Sequence, residues 1–180
     1  MGTSLNLSKI SQALSDRAKL FEGTVAKVGI PAGKHYPDGK SIAYIATIQE
    51  FGCPEKNIPP RTAYRSTIAK KSREWARTLA EGAEAVVKKR IGLNEMLEAA
   101  GHVAGMDVVQ TIAERVPPPL KPATIAARVR RARKTNPKFG SKQLPVTISQ
   151  PLNDTGTMIA HISSGTGKAG ATFIGGEPVK

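Results

Sequence analysis

Residues 44–65, YIATIQEFGCPEKNIPPRTAYR, divide the chain. Tyr44, Ile48 and Phe51 fall at i, i+4 and i+7, the spacing of one helical face, and Gly52 supplies a stop. We expect one or two helical turns here, anchored to the core by those three side chains. A polar loop, CPEKNI, follows. Pro59-Pro60 then stiffens the backbone, and Arg61 opens a long apolar-periodic run. Glu50 and Arg61 flank the loop with opposite charges. An arginine can bind a carboxylate through two parallel hydrogen bonds, so the pair suits a charge-assisted contact surface.

Downstream, Ile68, Trp75, Leu79, Ala83, Val86 and Val87 form a stripe that predicts a helix over 62–90. Gly92 breaks it. A second stripe from Leu93 to Val116 predicts a helix over 93–115, so the two long helices together occupy about 62–115. Pro117-Pro118-Pro119 ends the second. Within it, Gly101-x-x-x-Gly105 would let another helix approach closely. Pro122 to Thr135, PATIAARVRRARKT, predicts a short basic helix with Pro122 at its start. Residues 136–151 read as irregular. Met158, Ala160 and Ile162 alternate with Ile159, His161 and Ser163, a pattern that permits a strand. Ser164 to Gly170 reads as a glycine-rich connection, and Ala171 to Ile174 as a returning strand, giving a C-terminal hairpin over about 157–175.

Upstream, Leu5, Leu7, Ile10, Leu14 and Ala18 recur at helical spacing over 3–20, with Ser4 as a cap. Glu22 to Ile30 has β-like patterning around Val25, stopped by Pro31 and Gly33, and residues 31–40 read as an exposed loop. The expected fold is α+β, a single domain over 1–180. A small, mostly antiparallel sheet of the early strand and the C-terminal hairpin is packed by long helices, with extended loops.

The 180 residues are 39% hydrophobic, enough to bury a core, and carry a net charge of +13. Such a charge points to nucleic acid, an acidic protein surface or a place in a large assembly. The one cysteine, Cys53, excludes an internal disulfide and a cysteine-built zinc site. No apolar run reaches membrane-spanning length. His35, His102 and His161 have no metal-ligand spacing, and no nucleophile elbow is present. GTGKAG (Gly165 to Gly170) lacks the Gly-Lys-Ser/Thr of a phosphate loop. We therefore expect no enzyme, metal or cofactor. From Arg115 to Asn153 the chain has no acid, and Arg128, Arg130, Arg131, Arg133 and Lys134 make a basic stripe. It suits either a DNA backbone or an acidic partner subunit. With Phe139 its only aromatic, base stacking is not its mode.

Three stretches resemble the neck, or tail-completion, proteins of tailed phages, also called head–tail connector or minor tail proteins. Ala46, Glu50, Phe51, Gly52, Ile58, Pro59 and Arg61 match one pattern of that family. Thr124 and Arg128, then Pro151, Leu152, Asp154, Thr155, Gly156 and Ile162, match another in the same order. Thr62-Ala63-Tyr64 stands where the family has Pro-Phe, and Met158 where it commonly has Leu. The resemblance implies a non-enzymatic virion protein, assembled in the host cytoplasm, forming a ring of its own copies at the head–tail junction. Its partners would be portal or adaptor and tail-tube or terminator proteins, with passing contact to genomic DNA. A place as tail-tube terminator is the near variant, and a small basic DNA-binding protein the rival. The implied subunit-interface residues are Glu50, Phe51, Pro59, Arg61, Asp154 and Thr155.

Overall fold

In a computed structural model, which describes residues 7–136, 145–173 and 177–178, the chain is α+β. Its helices are α1 (Leu7–Lys19), α2 (Ile42–Phe51), α3 (Ala63–Val87), α4 (Leu93–Ala113), α5 (Pro122–Thr135) and the single turn α6 (Thr157–Ala160). Its strands are β1 (Thr24–Gly29), β2 (Ser163–Lys168) and β3 (Glu177–Pro178). They form one antiparallel sheet in the order β1-β2-β3, with Val25 opposite Gly167 and Ser163 opposite Pro178. β1 is therefore an edge strand.

α3 and α4 form an antiparallel hairpin, because contacts pair the start of one with the end of the other. The Thr67 hydroxyl donates to Thr111 Oγ1 at 2.7 Å, and Trp75 Nε1 donates to Asp107 at 2.7 Å. At the far end, Gly82 lies against Met96. Thr67 is fully buried, and its hydroxyl is placed among partners that satisfy it. α4 then lies on the sheet. A Cβ on Gly101 would stand 3.3 Å from Ser164 Cβ and 3.6 Å from Ala26 Cβ. The glycine predicted to admit another helix admits the sheet instead. The main core is built from Ile42, Val108, Ile112, Val116, Met158 and Ile162, and a smaller cluster holds Val86, Met96 and Leu97.

Several expectations change. α2 runs ten residues, and Ser41 Oγ accepts from Tyr44 N–H at its start. Its anchor is Ile42, with no exposed surface, whereas Tyr44 is 60% and Phe51 64% exposed. At 100° per residue, Ile42, Ala46, Gln49 and Glu50 share the inner face, while Tyr44 and Phe51 lie opposite. The expected strand at 158–162 is the turn α6, which buries Met158, and Ile162 is buried just after it, four residues on. The glycine-rich stretch read as a connection is the central strand β2. A ladder is held by backbone groups, and the missing side chains let Lys27 lie 3.6 Å from where a Gly167 Cβ would stand. β2 turns back to β3, so the hairpin partner lies beyond 171–173; Ile174 is outside the described residues. So are Ser4 and residues 137–144 of the irregular segment.

Gly52 ends α2 at φ +80°, and a Cβ there would meet Pro60 N at 2.9 Å and Ile58 O at 3.0 Å. Both the backbone region and the crowding demand glycine. Gly52→Ala is expected to cost about 2–4 kcal/mol in urea unfolding, whereas Gly92→Ala, in open space at an ordinary φ, should cost only about 1 kcal/mol, the loss of a good N-cap residue.

Candidate functional site

Glu50 is 6% exposed, and its carboxylate faces the start of α3. Oε2 accepts from Tyr64 N–H at 3.0 Å, and Oε1 accepts from Arg65 N–H at 3.0 Å. Thr62, the residue in the capping position, makes no side-chain cap. The glutamate fourteen residues upstream of Tyr64 does that work, and its negative charge suits the positive end of the helix. Arg65 Nε closes the unit with a 3.2 Å bond to Oε1.

Arg61 is also 6% exposed. Its Nε donates to Pro118 O at 2.9 Å, its NH1 to Gln49 Oε1 at 3.3 Å, and its backbone N–H to Gln49 O at 2.7 Å. It therefore ties the end of α2 to the proline turn after α4, whose carbonyls have no helical partner. Burial, and then the charge of Arg128, lowers its pKa. The expectation that Glu50 and Arg61 face a neighbouring subunit is corrected. Both point inward, because each satisfies backbone groups that loop and helix end leave without a partner from the backbone.

The same happens on the basic helix. Arg128, with its side chain 12% exposed, donates to Thr147 O at 3.0 Å and Gln150 O at 2.9 Å, and pairs with Asp154 at 3.4 Å. Arg131 pairs with the same carboxylate. These two arginines staple α5 to the PLNDTG turn, so Arg128 is a scaffold residue and not a surface contact. Arg130, Arg133 and Lys134 remain exposed on the outer side. Thr155 is exposed, with its hydroxyl 2.8 Å from that of Thr157, and Pro59 is half-buried.

A cleft of about 720 Å³ brings the two motif regions together. Ile45 and Gln49 of α2 line one side; Arg128, Arg131, Asp154 and Thr155 line the other. Tyr36 stands in it, its pKa raised by burial and then by Asp154 and Asp38.

The outer face of α2 is different. The Arg65 guanidinium lies 4.7 Å from the centre of the Phe51 ring, and both are exposed. Tyr44 stands on the same face. A shallow pocket of about 290 Å³ runs between Phe51, Arg65, Tyr64 and Gly29–Ile30. Aromatic and arginine side chains together are what interface cores favour. Sequence reasoning found Phe51 but missed Tyr44 and Arg65 as surface groups: the face of α2 is fixed only by the burial of Ile42 and Glu50, and Arg65 reaches Phe51 from α3. Gln150, whose amide donates to Ala113 O at 3.0 Å, carried no signal.

Among the described residues no three His, Cys, Asp or Glu side chains are placed to hold a metal ion. His161 Nδ1 is 2.7 Å from Thr157 O, and Cys53 is half-buried. Among the same residues no helix is long and apolar enough to cross a membrane.

Two predictions follow from this geometry. Arg61→Ala and Arg128→Ala should each lower unfolding free energy by about 2–3 kcal/mol, since each removes a guanidinium that ties two segments together through several charge-assisted hydrogen bonds, while Arg130→Ala should stay within about 0.5 kcal/mol. Burial, with Glu50 second, pushes the Tyr64 phenol up from 10.0 to about 12. The unfolded chain loses that proton first, so stability is full below pH 10 and falls as pH rises toward 12. The loss should reach about 2–3 kcal/mol by the shift involved, and Tyr64→Phe should abolish it in alkaline denaturation.

No family model, curated protein or solved structure matches this chain.

Proposed function

We propose that the chain is a structural neck or tail-completion subunit, non-enzymatic, forming a ring of its own copies at the head–tail junction of a tailed phage. The observation that carries this reading is the cleft of about 720 Å³, where two matching stretches distant in sequence meet. Gln49, beside Glu50 of the first pattern, faces Arg128, Asp154 and Thr155 of the second. The stretches that carry the resemblance thus form one spatial unit. A ring subunit must show different patches to its two neighbours, a heterologous contact that closes by rotation. The exposed Tyr44, Phe51 and Arg65 offer one such patch. Portal or adaptor proteins on one side, and tube or terminator proteins on the other, would be its partners in the virion.

The rival reading, a small DNA-binding protein, is favoured by the outward Arg130, Arg133 and Lys134, though with Arg128 engaged elsewhere the stripe is narrower than the sequence suggests.

The test is electron microscopy of particles made without this chain. Separate heads and tails support the proposal; normal numbers of joined, infectious particles contradict it. Tyr44→Ser with Phe51→Ser should leave stability within about 0.5 kcal/mol yet impair joining. If DNA binding is the function, duplex affinity should fall with salt at a log–log slope of about −0.9 per phosphate neutralised, and Arg130→Ala with Arg133→Ala should flatten it.

A further inference from the structure

The cleft of about 720 Å³ is lined by groups whose hydrogen-bonding capacity is unevenly used. Its carboxylate and amide oxygens are engaged. Asp154 holds Arg128 on one oxygen and Arg131 on the other. Asp38 accepts from Lys40 through both the backbone N–H and the ammonium. Gln49 Oε1 accepts from Arg61.

The groups left over are donors. Arg131 gives only NH2 to Asp154, and its side chain is 57% exposed, so its Nε and NH1 hydrogens have no partner among the described residues. The Gln49 amide is oriented by Arg61. A guanidinium only donates, so the amide oxygen turns to it and the NH2 is left without a partner among the described residues. The Tyr36 hydroxyl makes no hydrogen bond among those residues either. Burial, then Asp154 and Asp38, raises its pKa, so it keeps its proton at neutral pH.

Charge leans the same way. Lys40, Arg128 and Arg131 line the cleft against Asp38 and Asp154. Arg61 stands behind them, near enough to Arg128 to feel its charge. Asp154 is the one carboxylate bonded to any of the three arginines among the described residues. The stretch from Arg115 to Asn153, which supplies α5, holds no acid that could balance them. The rest of the wall is apolar, through Ile45, Leu120, Leu152 and Met158. The volume falls within the range of about 300–1,000 Å³ usual for small-ligand sites, room for a few residues of extended chain.

We propose that this cleft binds an acidic segment of a partner protein, its carboxylate paired with Arg131 and an adjoining apolar side chain packed on Ile45 and Met158. Gln49 and Tyr36 donate to the oxygens of the same segment. Phosphate suits the cleft less well. The lining cations exceed the lining carboxylates by a single charge, and an apolar wall disfavours a more highly charged, strongly hydrated group. The inference goes beyond the ring reading and does not need it, because every group named belongs to one chain.

The test titrates the full-length, ¹⁵N-labelled chain with acetyl-Leu-Glu-Leu-amide and with acetyl-Leu-Gln-Leu-amide. The signals followed are the Gln49 side-chain NH2 and the backbone amides of residues 154–157. The glutamate peptide should shift them and bind roughly tenfold more tightly than the glutamine peptide, as one charge-assisted contact dictates. Arg131→Gln should remove that preference. Arg130→Gln loses the same charge from an exposed position on the same helix and should keep it. Tyr36→Phe removes only a hydroxyl and should weaken binding roughly threefold with thermal unfolding unchanged. It keeps the test decisive if Arg131→Gln does not fold. No shift at the cleft, equal affinity for the two peptides, or an equal loss in Arg130→Gln overturns the proposal. So does acetate binding as tightly as the peptide, or inorganic phosphate displacing the peptide better than acetate does. Particles made without the chain test the ring separately, so either idea fails alone.

Discussion

The buried carboxylate of Glu50 at the start of α3 is the constraint on which the rest of the structure depends. It replaces the cap that Thr62 does not provide and so fixes where the 25-residue helix begins. That start sets the register of α3 against α4, through Thr67 with Thr111 and Trp75 with Asp107. α4 in turn seats the sheet at Gly101. A helix slipped by one residue would turn Thr67 out of its buried pair and leave the hydroxyls unsatisfied.

Charge in this chain is divided between two tasks. Glu50, Arg61, Arg128 and Asp154 are spent within the chain, on helix ends, turn carbonyls and each other. Arg130, Arg133 and Lys134 are left outside, where they shape the field but not the fold. Paired internal charges do not make a free contact surface; the exposed apolar side chains that remain include the aromatic face of α2 and, on α3, Ile68 and Leu79.

Much of the helical frame was legible from the sequence because its period is long and its stops are strong. Gly92 and the proline run bound α3 and α4, and Pro122 opens α5 where expected. The sheet was half-legible. β1 shows β-branched patterning, but β2 is Ser-Ser-Gly-Thr-Gly-Lys, and its pairing is held by backbone groups that no side-chain pattern reports. The α2 face was misread because a helix apolar nearly all round fits more than one stripe; only the packing of Ile42 decides. The site residues were legible as identities and not as directions. Charge flanking a loop looks the same in sequence whether it meets a neighbour or a nearby helix end.

The most direct measurement is a reconstruction of the whole particle at a resolution that traces side chains. The account predicts a closed ring of this chain at the head–tail junction, with Tyr44 and Phe51 against neighbouring protein and Glu50 and Arg61 holding their partners within each subunit. A chain absent from that junction, or one whose Glu50 and Arg61 leave α3 and the proline turn to bridge subunits, would contradict it.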